Sequence, residues 1–469
     1  MLYRCVTYLS FATLLPLFTL GQDVNFKAYS LKEAQDQAVK NNAQVQLVQL
    51  DVSIAEQTVK SVTAIGLPQV NASGTFNHYI DIPTSVVPAD AFGFPDWFSQ
   101  WIDDVAQSTA IDPNYPPGTG DEFNAVQFGS KYTSSFGVTL NQLLFDGSFI
   151  IGVQAAKSFV DVKTQALSKT ETEVKLIVTR SYYSVLIAEQ NVEILKKNLR
   201  SIQKTYAESK ELLSSGFIEQ IALDQIKLLV ANLEISHNTA IEQLEISKKL
   251  LKFQMGLPLD AEISLSDELS SLATISADYI ADDSFTFEAH IDYRIAQAQV
   301  RLLQWGKKAE QFKSLPTLGG FFNHQRNVYR NEFDFSGGSW YPTTLWGLSL
   351  NIPIIGGFGQ VANHKIAGMK LEQAQIRQSQ IVDGLKLNES SARLAFTAAL
   401  SLYLNQKENL KLAETIREKT EVKFKEGIAS SMELTQAENQ FFSTQGAYVQ
   451  SVFSLLNAKT ELQKALGEF

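Results

Sequence analysis

The side chains best suited to chemistry are scattered through this 469-residue chain. Its five histidines, His78, His237, His290, His324 and His364, show no pair at the spacing of a metal site. Gly356-Gly357-Phe358-Gly359 is rich in glycine, but no Lys-Ser/Thr follows it, so it lacks what a phosphate-cradling loop requires. No Gly-x-Ser-x-Gly elbow presents a nucleophilic serine. Asp and Glu are plentiful, yet none forms a pair suited to acid-base work. The one cysteine, Cys5, lies in the first residues and leaves the remaining chain without thiol or disulfide chemistry. These patterns predict a non-enzyme with no catalytic residue, no cofactor and no metal.

The bulk numbers narrow the class further. Hydrophobic residues make up 45% and charged residues 19%, the balance of a folded chain. A net charge of −10 without a Lys/Arg cluster predicts no nucleic-acid partner. Residues 1–21 read as a signal peptide. Arg4 gives the positive start, an apolar run extends from Phe11 to Leu20, and small residues stand at Thr19 and Gly21. A membrane anchor is the alternative, although the run is short for a bilayer core of about 30 Å. No later run of about 20 apolar residues predicts a membrane-spanning helix, which leaves a β-barrel as the way to cross a membrane.

The second half of the chain echoes the first. Pro68 corresponds to Pro316 at an offset of 248, as Asn42 does to His290. Gly216 and Gly256 correspond to Gly427 and Gly467 at an offset of 211, so the first half carries about 37 extra residues. Residues 81–130, with Pro83, Pro88, Pro95, Pro113, Pro116, Pro117, Trp97 and Trp101, are expected to hold them as irregular structure. A seam spaced by three and four runs through Leu223, Ile226, Val230, Leu233, His237, Ala240, Leu244, Ser247 and Leu251. It returns 211 residues later from Leu434 through Phe441, Ser451 and Leu455 to Leu462. Each half thus reads as helix, strand, loop, strand, long helix, turn, long helix. Ser30 and Glu33 form a capping box for the first helix. Pro68 and Pro316 stop helices. The long helix from about Phe149 to Leu213 spans roughly 100 Å at 1.5 Å per residue. First repeat 30–256, linker 257–285 and second repeat 286–469 make up the expected chain of 22–469.

Between the helices lie segments of period two. Val70 and Phe76 fall on one side of the first, and Phe136, Val138 and Leu140 on one side of the second. Leu318 and Phe322 mark the third, where Phe321 breaks the alternation. Trp346, Leu348, Leu350 and Ile352 mark the fourth. Each is about as long as a membrane-crossing strand, and one side is almost free of charge. A soluble sandwich would also alternate. Four strands, however, cannot close a barrel and would leave bare edges, whereas three copies would supply twelve.

The order of these elements, twice repeated, resembles the outer-membrane efflux family typified by TolC. The likeness is carried by the corners Leu67-Pro68, Leu315-Pro316, Phe145-Asp146-Gly147 and Gly356-Gly357-Phe358. It is also carried by the turns Ser215-Gly216-Phe217 and Glu426-Gly427-Ile428-Ala429, and by Met255-Gly256-Leu257-Pro258 and Ala465-Leu466-Gly467. The resemblance implies a mainly α protein with a membrane β-barrel. Its unit is a duplicated helix-strand-strand-helix-helix, with a long antiparallel coiled-coil α-barrel and four strands per protomer of a twelve-stranded trimeric barrel. Residues 257–285 would supply part of a girdle around the α-barrel.

The implied protein is the outer-membrane channel of a tripartite efflux or secretion system, seated in the cell outer membrane with a large periplasmic portion. Its partners would be two further copies in a homotrimer, a periplasmic adaptor protein, an inner-membrane transporter and outer-membrane lipid. Conduction would be passive. The resemblance places the adaptor-contacting hairpin tips at Gly216, Phe217, Gly427, Ile428 and Ala429. It places a periplasmic aperture at Glu433 and Gln436, where the family's type member has two carboxylates; a solvated Glu on a helix face is the other reading of Glu433. Val70, Phe76, Phe136, Val138, Leu140, Trp346, Leu348, Leu350 and Ile352 would face lipid. A periplasmic coiled-coil adaptor or scaffold protein is the alternative function.

Overall fold

The computed structural model describes residues 27–88, 96–109, 123–127, 129–272, 285–334 and 339–469. The signal-peptide reading of residues 1–21 lies outside them, as do Pro113, Pro116 and Pro117 and residues 273–284 of the linker. The first half contains β1 (Lys27–Tyr29), α1 (Leu31–Asn41), α2 (Ala43–Ala64) and β2 (Gln69–His78). Then come β3 (Thr84–Pro88), α3 (Asp96–Thr109), β4 (Phe123–Gln127) and β5 (Tyr132–Phe145). Helices α4 (Gly147–Ser214) and α5 (Gln220–Gln254) follow, with β6 (Ile263–Leu265) and α6 (Leu269–Leu272) behind them. After a 3₁₀ turn at Phe287–Ala289 the second half runs α7 (Ile291–Phe312), β7 (Thr317–Arg330), β8 (Tyr341–Asn351), α8 (Gly359–Lys425) and α9 (Ser431–Leu466).

The chain divides into two units. One holds Glu56–Lys157 and Leu303–Leu371. Its centre is a four-stranded antiparallel sheet in the order β2-β5-β7-β8. Helix α2 ends at Ala64 and α7 at Phe312, each four residues before its proline. Close approaches shape the corners. A Cβ on Gly66 would lie 2.6 Å from the Phe149 ring, and one on Gly147 would lie 2.7 Å from Leu315. Asp146 then caps α4, its Oδ1 accepting from the amides of Ser148 at 2.7 Å and Phe149 at 3.1 Å.

Residues 81–130 depart from the irregular structure expected of them. β3 and β4 pair antiparallel, and α3 lies between them in the chain. Proline punctuates these elements without interrupting them. Pro83 precedes β3, Pro88 ends it, and Pro95 stands just before α3. The strand count is corrected accordingly. The described residues contain eight strands, four of them in the main sheet.

The other unit holds Met1–Ala55, Ser158–Leu302 and Glu372–Phe469, described from Lys27 onward. Here the two helical seams are buried. Leu223, Ile226, Leu233, Ala240, Ser247 and Leu251 line the first, and Leu434, Phe441, Thr444, Ser451, Leu455 and Leu462 the second. β1 pairs in parallel with β6, which fastens the linker to the start of the first half. Tyr182 of α4 ties the same place together, donating to the Tyr29 carbonyl at 2.9 Å.

Matching positions of the two halves do matching work in this unit. Asn42 Oδ1 accepts from the Gln44 amide at 2.8 Å, and His290 Nδ1 accepts from the Asp292 amide at 3.2 Å. Burial lowers the His290 pKa, which keeps that nitrogen free to accept. Gly256 and Gly467 both adopt positive φ, at 68° and 78°. The first packs against the Asn41 backbone and the second against that of His290.

Candidate functional site: a two-faced sheet and two helical tips

Cross-strand register assigns every residue of the main sheet to a face. Val70 pairs with Leu140, Leu140 with Phe322, and Phe322 with Trp346. Ala72 pairs with Val138, Gly74 with Phe136, and Gly320 with Leu348. Leu318 pairs with Leu350. The predicted apolar residues of these strands therefore share one face, as residues two apart must. Val70, Phe76, Phe136, Trp346, Leu348 and Leu350 are exposed on it, as is Val138, while Leu140 is half-buried. Ile352 follows β8 directly and is also exposed.

The opposite face is polar and hydrogen-bonded between strands. Thr75 and Ser135 hydroxyls meet at 2.7 Å, and Asn323 donates to Thr139 at 2.8 Å. Phe321, the residue that breaks the alternation, lies over Gly347. A Cβ there would be 2.7 Å from its ring, so glycine makes the space that the aromatic fills. Where the sheet meets its loops, Tyr132 stacks on His78 at 4.5 Å and on Phe76 at 6.2 Å. Phe333 meets Tyr132 edge-on at 5.6 Å. The edges of the sheet, β2 and β8, have no strand outside them among the described residues.

The helical unit contains two tips of one design. Gly216 has φ +79°; its amide donates to the Leu213 carbonyl and that of Phe217 to Leu212. Gly427 has φ +73°, with Phe424 and Lys423 as the matching acceptors. This is a Schellman closure of the helix end in both places. Phe217 and Ile428 follow with 79% and 70% of their surfaces exposed, whereas Ala429 packs on a core cluster.

Beyond the tips the two copies differ. Helix α5 begins at Glu219 without a side-chain cap, whereas α9 begins with a full capping box. The Glu433 carboxylate accepts from the Ser430 amide at 2.7 Å, and Ser430 Oγ accepts from the Glu433 amide at 3.2 Å. That backbone hydrogen bond lowers the Glu433 pKa, so the group is held ionised. Gln436 is exposed one turn on. It lines a shallow hollow with Gln225, its counterpart at the offset of 211, and with Met432 and Thr435.

Sequence reasoning missed Glu438. It lies on α9, only 2% exposed, facing Arg417 and Glu421 of α8. Burial lifts its pKa to about 7, against the pull of Arg417. Arg417 lies over the Phe441 ring at 4.9 Å. Lys425 ties this stretch of α8 to α4 through Glu208 at 3.3 Å. A single glutamate next to a heptad seam gives no sequence signal of burial.

Residues 288–468 match the family model for outer membrane efflux proteins. Across 72% of the chain it is 23% identical to the outer membrane efflux protein BepC of Brucella suis biovar 1, covering 73% of that protein. Across 93% it is 20% identical to the cation efflux system protein CusC of Escherichia coli K12, covering 86% of it. The chain is thus similar to outer membrane efflux proteins, and its second half carries the family match. The chain also shares its fold with solved channels of low identity. A CusC crystal structure superposes with a TM-score of 0.69 at 16% identity, covering 94% of this chain and 92% of that one. The open-state MtrE channel of Neisseria gonorrhoeae gives 0.69 at 14%, covering 93% and 88%. The matched family model and the relative BepC are named for outer membrane efflux, and CusC for cation efflux.

Proposed function

We propose that three copies join edge to edge into one twelve-stranded barrel, and that their helices wall a periplasmic duct through which substrates pass passively. The observation that carries this reading is the main sheet itself. It has one apolar exposed face, one polar face, and two open edges at β2 and β8. Four strands cannot close on themselves, and an open edge in hydrocarbon leaves backbone groups unpaired. Edge-to-edge pairing with two more copies removes every edge, turns the apolar face to lipid and encloses the polar face. Apolar residues seven apart also stand exposed on the helices, such as Ile221, Leu228 and Ile235 on α5 and Leu387 and Leu394 on α8. They offer seams for neighbouring copies.

In this reading the first repeat is 30–256, the girdle segment 257–285 and the second repeat 286–469. The tips at Gly216-Phe217 and Gly427-Ile428-Ala429 meet a periplasmic adaptor, and an inner-membrane transporter supplies direction and energy. Exposed Phe217 and Ile428 support the tip assignment, since an unpacked apolar residue at a turn suits a partner surface. Three copies of Glu433 around one axis form a ring of negative charge at the periplasmic aperture, with Gln436 adding polarity without charge.

The test is extraction and conductance. The protein should leave membranes only with detergent, run with the mass of three chains, and conduct ions in planar bilayers. A stable monomer without detergent defeats the duct and favours the periplasmic adaptor or scaffold.

A further inference from the structure

The four strands of the main sheet contain no Asp, Glu or Lys, and two arginines, Arg326 and Arg330, both on β7. The chain as a whole is acidic, with 50 Asp and Glu against 40 Lys and Arg. Register sharpens the point. Arg326 is in line with Gly74, Phe136 and Pro342, and Arg330 with His78 and Tyr132. Both therefore belong to the face that carries Val138, Phe136 and Trp346, not to the polar face.

Both also stand toward the loop end of the sheet, about 13 Å apart along the strand at the usual rise. They lie beside the aromatic cluster of Phe76, Tyr132 and Phe333. Among the described residues neither guanidinium has an ion-pair partner, and the Nε of Arg330 is buried without a hydrogen-bond acceptor. Arg326 is exposed.

Taking the apolar face as lipid-facing, as proposed above, we infer that Arg326 and Arg330 form a binding site for the phosphate groups of an anionic outer-leaflet glycolipid. A cation on a lipid-facing strand is unfavourable at the bilayer centre and nearly neutral at headgroup depth. The loop end of the strand is that depth, and aromatic residues mark it on barrels. There a guanidinium meets phosphate, whose oxygens match its fork of donors in a bidentate pair. The long arginine stem covers apolar surface while its head reaches the interface. The partner is thus a lipid with phosphate at its headgroup and acyl chains against Phe136 and Val138.

The purified, delipidated protein would be titrated by native mass spectrometry with a bisphosphorylated glucosamine-disaccharide lipid and with the same lipid after phosphatase treatment. The wild type should prefer the phosphorylated form by about ten-fold or more, as expected for charge-assisted bidentate pairs. R326Q/R330Q should lose that preference while keeping its oligomeric state, and R326K/R330K should retain part of it. Inorganic phosphate alone should not displace the lipid. Full displacement would mean a small-anion site and overturn the lipid assignment. No phosphate preference in the wild type, or an unchanged one in R326Q/R330Q, sinks this site and leaves the barrel standing. A detergent-free monomer sinks both.

Discussion

Glu438 shows how the burial of one carboxyl couples a helix pair to pH. Its carboxyl has a pKa of about 7 in the fold against an ordinary value of 4.5. The folded state therefore holds a proton that the unfolded chain has released across that interval, and stability falls as pH rises through it. Below about pH 4.5 both states are protonated and nothing is lost. Thermal unfolding followed by circular dichroism should give a lower midpoint at pH 8 than at pH 5.5. Glu438→Gln should remove most of that slope, worth up to about 2 kcal/mol. An unchanged slope in the variant would assign the pH dependence elsewhere. Glu433 poses a different question. Gln can replace Glu in a capping box, so Glu433→Gln removes the charge and keeps the cap. Cation preference in planar bilayers should weaken while the melting temperature holds; unaltered selectivity would remove the ring of charge from the aperture.

Elements rise or fall on turns and faces. Gly216 and Gly427 have positive φ and open space where a Cβ would stand, whereas a Cβ on Gly256 would meet the Asn41 carbonyl oxygen at 2.4 Å. Gly216→Ala should then cost about 1 kcal/mol, the usual penalty for a left-handed residue. Gly256→Ala should cost clearly more, because strain and collision add. Denaturation of the two variants side by side would check the order. On the sheet, Leu348→Arg or Leu350→Arg should block assembly, since a cation near the bilayer midplane costs about 2–4 kcal/mol per chain. Normal yields of oligomer in outer membranes would put that face elsewhere.

Much of this level could be read in advance. Alternation disclosed the apolar face of the sheet because register preserves the period of two across four strands, and the seam positions disclosed the buried helix faces. Phe321 misled the alternation because its compensation, Gly347, lies on a neighbouring strand. Prolines misled residues 81–130, because a proline at an element's end leaves the same trace as one inside a loop. Glu438 stayed hidden because a heptad reading of one helix pair treats off-seam positions as wet, and here α8 covers that side.

At the scale of the whole molecule, the two open edges demand neighbours. Chemical crosslinking of the purified protein should produce a ladder that stops at three chains, and longer ladders would argue against closure. The duplication makes this economical: each half supplies one hairpin to the sheet and one helical tip, and Asn42 and His290 show the two copies keeping the same capping arrangement with different side chains.

The central ladder of the sheet joins Tyr132 to Arg330 and Phe136 to Arg326. Its two strands are separated by the whole of α4, α5, the linker and α7. A chain delivered from its amino end must therefore present β2 and β5 long before β7 exists to pair with them. During that wait the greasy side of the first hairpin is bare, and distant pairings of this kind form slowly. The β5–β7 ladder is then the pairing expected to set the pace of folding, because it closes the longest loop in the sheet.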